Sequence, residues 1–102
     1  MKTIWKFPIT NMDGVTLRVP FDGDKRFCEQ VLHCDVQGGV PCLWATVDSE
    51  QEARPVRVVV LGTGHSADKV VEYGLKHAGS FMLMGGAFVG HVFAENKYPE
   101  RR

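Results

Sequence analysis

Hydrophobic residues along the chain follow the two-residue period of β-strands rather than the longer period of a helix. Val15, Leu17 and Val19, for example, alternate with polar residues. Gly, Pro or Asp interrupts such runs about every 8 to 12 positions, which is the spacing of all-β proteins. The pattern predicts seven strands, at residues 2–8, 14–20, 28–37, 40–48, 55–62, 77–84 and 87–95. We therefore expect a mainly antiparallel all-β fold, either a small β-sandwich or a partly open β-barrel.

Only one segment, residues 66–73, carries the signals of a helix. Ser66 is a residue type that caps helix N-termini, and Gly74 suits the position just after a helix C-terminus. The segment predicts one short helix of two turns at most, which would close one end of the sandwich or barrel by burying Val70 or Val71.

Two Gly-Gly pairs, at 38–39 and 85–86, predict β-hairpins, because both residues of a two-residue turn can adopt positive φ there. In the first hairpin this register places His33 opposite Trp44. One face is then a core face, formed by Leu32, Cys34, Val36, Leu43, Ala45 and Val47. The opposite face is half polar and carries Val31, His33, Asp35, Gln37, Val40, Cys42, Trp44 and Thr46.

The second hairpin is largely apolar on both faces. Its turn pairs Met84 with Ala87 and Ser80 with His91, and it lays Phe81 over Gly90. One apolar face fits the core, and the other fits a contact between subunits. The sequence therefore predicts a homo-oligomer, most simply a dimer.

Length and charge narrow the classes of partner. The 102 residues suit one domain, 1–102, in which 96–102 form a flexible tail. Twelve basic residues balance twelve acidic residues, which argues against extended nucleic acid because phosphate binding needs an excess of Lys and Arg. No apolar run approaches the roughly 18 residues of a membrane-spanning helix. We expect a soluble, cytoplasmic protein without a membrane contact.

The cysteines and histidines give no sign of a metal or cofactor. Cys34 and Cys42 lie on opposite faces of their hairpin, and Cys28 is too far along the same strand to reach Cys34. We expect three free thiols, as in a reducing compartment. There is no CxxC, HxxxH or HExxH motif, so the sequence predicts neither a metal site nor a cofactor.

The best candidate for ligand binding is the loop that joins the predicted fifth strand to the predicted helix. Its backbone N–H groups, an imidazole and the helix N-terminus suggest an anion site formed by Gly62, Thr63, Gly64, His65 and Ser66. The alternative is a plain strand-to-helix turn. Trp44 is available to stack on a planar ligand. His91 either contacts the ligand or is a strand histidine bonded to Ser80.

Several motifs resemble those of a known family. They are Thr3-Ile4-Trp5-Lys6-Phe7, Pro41-Cys42-Leu43-Trp44-Ala45, Gly62-Thr63-Gly64-His65, Gly79-Ser80-Phe81, Gly85-Gly86-Ala87 and His91-Val92-Phe93. Together they resemble small bacteriophage-encoded proteins of unknown function, similar in length to this chain's 102 residues. The resemblance implies a viral protein in the host cell cytoplasm and implies no mechanism.

These observations favour a non-enzymatic accessory protein that binds a host protein or sequesters an anionic small molecule such as a nucleotide. The alternative is a structural or assembly component of the virion, to which the two-sided apolar hairpin is suited. A small hydrolase is a third hypothesis and is disfavoured. Hydrolysis needs a base, an orienting partner and an oxyanion stabiliser, and the sequence offers only His65 for one of these roles.

Overall fold

Two antiparallel sheets pack face to face in the structure, a computed structural model that describes residues 1–97. The elements are β1 (Lys2–Pro8), β2 (Val15–Pro20), α1 (Phe27–Gln30), β3 (Val31–Gln37), β4 (Val40–Asp48), β5 (Ala53–Gly62), α2 (Asp68–Glu72), β6 (Lys76–Leu83) and β7 (Phe88–Ala94). Sheet A has the order β1-β4-β3, and sheet B has the order β2-β5-β7-β6. The prediction of a mainly antiparallel β-sandwich is confirmed, and the barrel alternative is not what forms.

The core lies between the inner faces of the two sheets. Alternate residues of nearly every strand point into it, as the two-residue period requires. Its fully buried strand residues are Val19, Leu43, Ala45, Val47, Val56, Val58, Val92 and Ala94. Burial of each larger aliphatic side chain contributes about 1.5–3 kcal/mol of transfer free energy. With both inner faces used in this way, only the outer faces and the edges remain for binding or chemistry.

Both hairpins have the predicted register, with His33 opposite Trp44 and Ser80 opposite His91. The predicted pairing of Met84 with Ala87 is wrong. Met84 has a φ of 53° and begins a 3-10 turn, Met84–Gly86, in which the N–H of Ala87 donates to the Met84 carbonyl at 3.1 Å. Four residues therefore form the loop, and pairing starts at Leu83 with Phe88.

The start of the predicted strand 28–37 is also wrong, because residues 28–30 belong to α1 and the strand begins at Val31. The N–H of Arg26 donates to Glu29 Oε1 at 2.8 Å, which closes a capping box. A register shift follows between Val31 and His33, so Val31 pairs with Ala45 and Leu32 is 55% exposed. The prediction that Leu32 belongs to the core is wrong, because one extra residue in a strand moves its neighbours to the other face.

The sequence predicts a single helix, and the structure has two, because α1 forms in addition to α2. Ala67 rather than Ser66 occupies the N-cap of α2, and Ser66 Oγ instead accepts from the Asp68 N–H at 3.3 Å. Val70 is half-buried and Val71 is exposed. Gly74 follows the helix with a φ of 62°, as its predicted position requires.

Two glycines allow close approaches inside the sandwich. A Cβ at Gly90 would overlap the Phe81 ring, which confirms the predicted cover of this glycine. A Cβ at Gly79 would overlap the Cβ of Cys34, so β6 and β3 meet closely across the two layers.

The start of the predicted flexible tail is held in place. Asn96 Oδ1 accepts from the Cys28 N–H at 3.0 Å, and the Lys97 carbonyl accepts from the Phe27 N–H at 3.2 Å. These bonds fix residues 96–97 against α1, and the rest of the predicted tail lies outside the described residues. The helices of residues 1–97 are too short to cross a membrane.

A buried carboxylate joins the N-terminal strand to the loop before α1. The Asp22 side chain is only 7% exposed, and its Oδ1 and Oδ2 lie 3.2 Å from Lys2 Nζ and 3.4 Å from Lys25 Nζ. The buried Gln30 accepts the Asp22 N–H at 3.0 Å and donates to the Thr46 carbonyl at 3.1 Å. The Lys2 ammonium lowers the pKa of Asp22 below its ordinary value.

We expect Asp22→Asn to destabilise the protein near neutral pH and to have little effect in acid. A folded-state pKa below the unfolded value gives stability above the unfolded pKa, and this stability is lost as pH falls through the folded pKa. The expected loss at neutral pH is about 1 kcal/mol, because Lys2 and Lys25 stay largely solvated. Urea unfolding at neutral and acid pH measures it.

The matched control is Asp68→Asn, which removes an exposed carboxylate without an ion pair among residues 1–97. The control should lose less free energy of unfolding at neutral pH. Equal losses in the two variants, or a loss that persists in acid, would contradict the role given to Asp22.

Candidate functional site

Residues 63–75 connect β5 to β6, and we call this segment the crossover. β5 and β6 both pair antiparallel with β7, which lies between them, so they run in the same direction. The chain must therefore return from one end of sheet B to the other. The inner face is filled by the core. The crossover, which contains α2, consequently runs over the outer face.

A groove of about 590 Å³ lies between the crossover and the outer face of sheet B. This volume falls within the range of about 300–1,000 Å³ that is usual for small-molecule sites. Apolar side chains of β5 meet apolar and aromatic side chains of the crossover there, with charged groups among them. The lining residues are Asp13, Arg57, Val59, Val60, Leu61, Lys69, Val70, Tyr73, Leu75 and Glu95.

The charges of the groove are not all neutralised. Glu95 Oε1 accepts from the Arg57 N–H at 2.7 Å and lies 3.5 Å from Lys97 Nζ, so this carboxylate already has cationic and N–H partners. Within residues 1–97 the Arg57 guanidinium and the Lys69 ammonium form no ion pair. The guanidinium lies against Gly14, where an added Cβ would stand 3.3 Å from Nη2. The groove thus holds two cations without an ion pair in residues 1–97, beside the carboxylates of Asp13 and Glu95.

Beside the groove, four polar side chains form a hydrogen-bonded chain that we call the histidine row. His77 Nε2 lies 2.9 Å from Ser80 Oγ, Ser80 Oγ lies 3.0 Å from His91 Nδ1, and His91 Nε2 lies 2.9 Å from Thr63 Oγ1. A hydroxyl both donates and accepts, so the bonds can run in either direction along the row. Ser80 is exposed.

Strand register brings the histidine row to the groove. His91 on β7 stands between Ser80 on β6 and Leu61 on β5, and Leu61 is part of the groove floor. One row further along, Phe93 stands between His77 and Val59, and its ring meets the His77 ring edge-on at 5.6 Å. The two features therefore share one continuous outer face.

The loop predicted to hold an anion has already used most of its donors. The Gly62 N–H donates to His65 Nδ1 at 3.1 Å, the Thr63 N–H donates to the Val89 carbonyl at 3.2 Å, and the His65 N–H donates to the Gly62 carbonyl at 3.0 Å. A Cβ at Gly62 would stand 2.9 Å from both the His65 and the Phe88 rings. The glycine serves packing here, and α2, with five residues, is too short to supply an anion site.

Trp44 lies away from this loop, on the outer face of sheet A. Its ring stands 5.5 Å from the His33 ring, and Lys6 Nζ donates to Gln37 Oε1 at 2.6 Å. Lys6 pairs with Trp44 and Gln37 pairs with Val40, so the hydrogen bond between Lys6 and Gln37 passes over Cys42, which lies between these two β4 residues. This cover explains why Cys42 is buried although it lies on an outer face. The two sheets separate Trp44 from the other predicted site residues.

Among those other residues, the structure brings Thr63 and His91 into direct contact, with Gly62 and His65 beside them. Gly64 and Ser66 are exposed parts of the same loop. Sequence reasoning missed the residues that complete this surface, which are Arg57, Lys69, Tyr73 and His77. The pairing of Ser80 with His91 follows from the turn, whereas the bond between Ser80 and His77 depends on the register shift between His77 and Gly79 in β6. The bond between His91 and Thr63 depends on where the crossover begins.

The family of the chain is shown by comparison with family models. A model described as a domain of unknown function, DUF7352, matches residues 1–102. The chain belongs to this family. Comparisons with curated proteins and with solved structures gave no match. DUF7352 membership agrees with the expectation of a family of unknown function and adds no chemistry to the groove or the histidine row.

The structure gives the cysteines no reactive role. All three are free, as predicted. Burial raises the pKa of the Cys34 thiol to about 11 and also raises the pKa of Cys28, and a protonated thiol is a poor nucleophile. Within residues 1–97 no group of three or more His, Cys, Asp or Glu side chains is arranged to hold a metal ion.

We expect Lys6→Ala to expose Cys42 to alkylation, because the variant removes the hydrogen bond that crosses above this thiol. Iodoacetamide treatment of the folded protein, followed by peptide mass spectrometry, measures the rate at each cysteine. The rate at Cys42 should rise several-fold while the rates at Cys28 and Cys34 stay unchanged. Lys69→Ala, in α2 over the outer face of sheet B, is the control. An unchanged rate at Cys42 in Lys6→Ala would assign the cover to Trp44 and the neighbouring strands instead.

Proposed function

We propose that the protein is a binding protein that sequesters an anionic small molecule with a planar part, such as a nucleotide, in the groove beneath the crossover. The observation that carries this proposal is the combination in one groove of an apolar floor, an aromatic ring and two cations that form no ion pair within residues 1–97. The proposed action requires no chemical step. With this proposal we assign the anion site to the groove instead of to the neighbouring loop 62–66, where the sequence predicts it.

Each part of the groove suits one part of such a ligand. Arg57 presents a planar guanidinium that can bind a phosphate through two parallel hydrogen bonds, and Lys69 adds a point charge. The exposed Tyr73 ring offers a face on which a base can stack. Val59 and Leu61 give an apolar floor for the planar part.

The setting we propose is the cytoplasm of a host cell infected by a bacteriophage. The resemblance of the chain to small phage proteins supports this setting, and a binding protein of this size suits an accessory role against a host molecule. A host protein is the other target of the same class. The half-polar outer face around Trp44 is the surface we would assign to it if the groove binds no small anion.

Titration calorimetry with adenosine monophosphate tests the proposal. We expect binding that is at least tenfold tighter than the binding of either adenosine or inorganic phosphate, since each of these satisfies only one part of the groove. Arg57→Gln and Lys69→Gln should each weaken binding by about five- to tenfold, the effect of losing a charge-assisted hydrogen bond or a nearby charge. Tyr73→Ala should weaken binding of the nucleotide more than binding of phosphate.

Lys76→Gln is the matched control, because it removes one positive charge from an exposed site that does not line the groove. It should leave the affinity unchanged. Equal weakening in Lys76→Gln and Lys69→Gln would mean nonspecific attraction. Absence of binding by all three probes would reject the groove and favour a host protein as partner.

We also propose that the protein forms a homodimer through the distal end of the β6–β7 hairpin. Met82 and Met84 are 64% and 76% exposed there, next to the half-buried Val89. Exposed apolar groups in one patch favour contact with another protein surface. The same patch supports the alternative of a virion assembly component, in which the contact would extend beyond two copies.

Size-exclusion chromatography with light scattering distinguishes these states. We expect the mass of a dimer at micromolar concentration, and we expect Met82→Glu to yield a monomer with an unchanged melting temperature, because the residue lies outside the core. Thr16→Glu, on the outer face of β2, is the control and should remain dimeric. A parent protein of monomer mass would refute the dimer, and a large assembly would favour the virion component.

A further inference from the structure

We propose that Ser80 is an activated nucleophile and that the outer face of sheet B has an acyl-transfer activity toward small carboxylic esters. The proposal is carried by the geometry of the histidine row rather than by the charges of the groove. It is therefore independent of whether an anion binds beneath the crossover.

The row contains a nucleophile, a base and a group that orients the base. Ser80 Oγ lies 3.0 Å from His91 Nδ1, and His91 Nε2 lies 2.9 Å from Thr63 Oγ1. When Nε2–H donates to the Thr63 hydroxyl, Nδ1 carries the lone pair and faces Ser80. This is the arrangement by which an imidazole removes the proton of a serine hydroxyl. Thr63 is thus a positioning residue, since it acts through His91.

His77 supplies the third requirement, a donor near the developing charge. Its Nε2 lies 2.9 Å from Ser80 Oγ, and in the same tautomeric arrangement Nε2–H donates to that oxygen. When Ser80 attacks a carbonyl carbon, the carbonyl oxygen becomes an anion one bond away from that carbon. The His77 N–H is then within reach of this oxyanion. The Phe93 ring, edge-on at 5.6 Å, holds the imidazole of His77 from one side.

The proposed reaction needs only the ester and water as reactants. Ser80 Oγ forms a bond to the acyl carbon while its proton moves to His91 Nδ1. The bond from the acyl carbon to the alcohol oxygen then breaks, and His91 returns the proton to this leaving oxygen. Water repeats the sequence on the acyl-serine, with His91 as base, and releases the carboxylic acid and free Ser80.

The surroundings of Ser80 indicate the substrate class. Ser80 is exposed on a sheet face, so a substrate can reach it without any movement of the chain. Leu61, directly across His91, offers apolar contact to a small acyl or alcohol group. No carboxylate, ammonium or guanidinium group takes part in the row, which suits an uncharged ester better than a charged one.

A fluorophosphonate probe, which reacts covalently with activated serines, gives the first test, followed by peptide mapping. We expect labelling at Ser80 that is absent in Ser80→Ala and about 100-fold slower in His91→Gln, the usual contribution of a general base. Ser49→Ala is the matched control, because it changes an exposed serine whose hydroxyl donates to a backbone carbonyl. In this variant Ser80 should be labelled at the same rate as in the parent protein.

Hydrolysis of p-nitrophenyl acetate, with mass spectrometry of the acetylated protein, gives the second test. Thr63→Val should slow acetylation of Ser80 and shift the pH profile, because the tautomer of His91 is no longer fixed, and Thr63→Ser should restore both. Thr16→Val, which changes an exposed threonine on the outer face of β2, is the matched control and should change neither rate.

Two results would overturn the proposal: a parent protein that carries no label at Ser80, or a label whose rate is the same in His91→Gln. The first result needs no variant, so it decides the question even if a substitution in the row prevents folding. Acetylation of the histidines without any acetyl-Ser80 would likewise assign the reaction to ordinary imidazole chemistry and reject the nucleophile.

Discussion

The pairing of β7 with both β5 and β6 is the constraint on which the rest of the outer surface depends. Two strands that are antiparallel to the same neighbour must run in the same direction, so the chain between them has to return along the sheet. The core occupies one face, which leaves only the other for this return. The groove forms because a short helix cannot cover the whole face. The same pairing sets Ser80, His91 and Leu61 side by side.

The local part of this architecture can be predicted from sequence. Strand periodicity and the Gly-Gly pairs fix which residues face each other within a hairpin, and the pairs His33–Trp44 and Ser80–His91 follow from turn geometry alone. The predicted strand faces are wrong where one residue is added to the alternating pattern or removed from it. The alternation predicts Leu32 in the core because it contains no sign of a bulge, and a single inserted residue reverses the faces.

The candidate site depends on information that periodicity does not contain. Arg57 and Tyr73 belong to different elements, and they share a groove only because sheet B has the order β2-β5-β7-β6. The sequence suggests that Trp44 and the loop at 62–66 share a site because both carry residues suited to ligand binding, yet the two lie on opposite layers. Sheet order results from long-range pairing between strands that are not joined by a tight turn, and the residues at such a junction have no common local signal.

For the binding of an anion, a structural polar group differs from a candidate binding group in whether its hydrogen bonds and charges are already matched. The N–H groups of Gly62, Thr63 and His65 are matched inside the protein, so the loop is best understood as a turn despite its composition. The charge of Asp22 is matched by two lysines and serves stability. The chain has no net charge, so attraction of an anion must come from local arrangement. The binding that we propose relies on such an arrangement, in which Arg57 and Lys69 form no ion pair within residues 1–97 and lie beside an apolar floor.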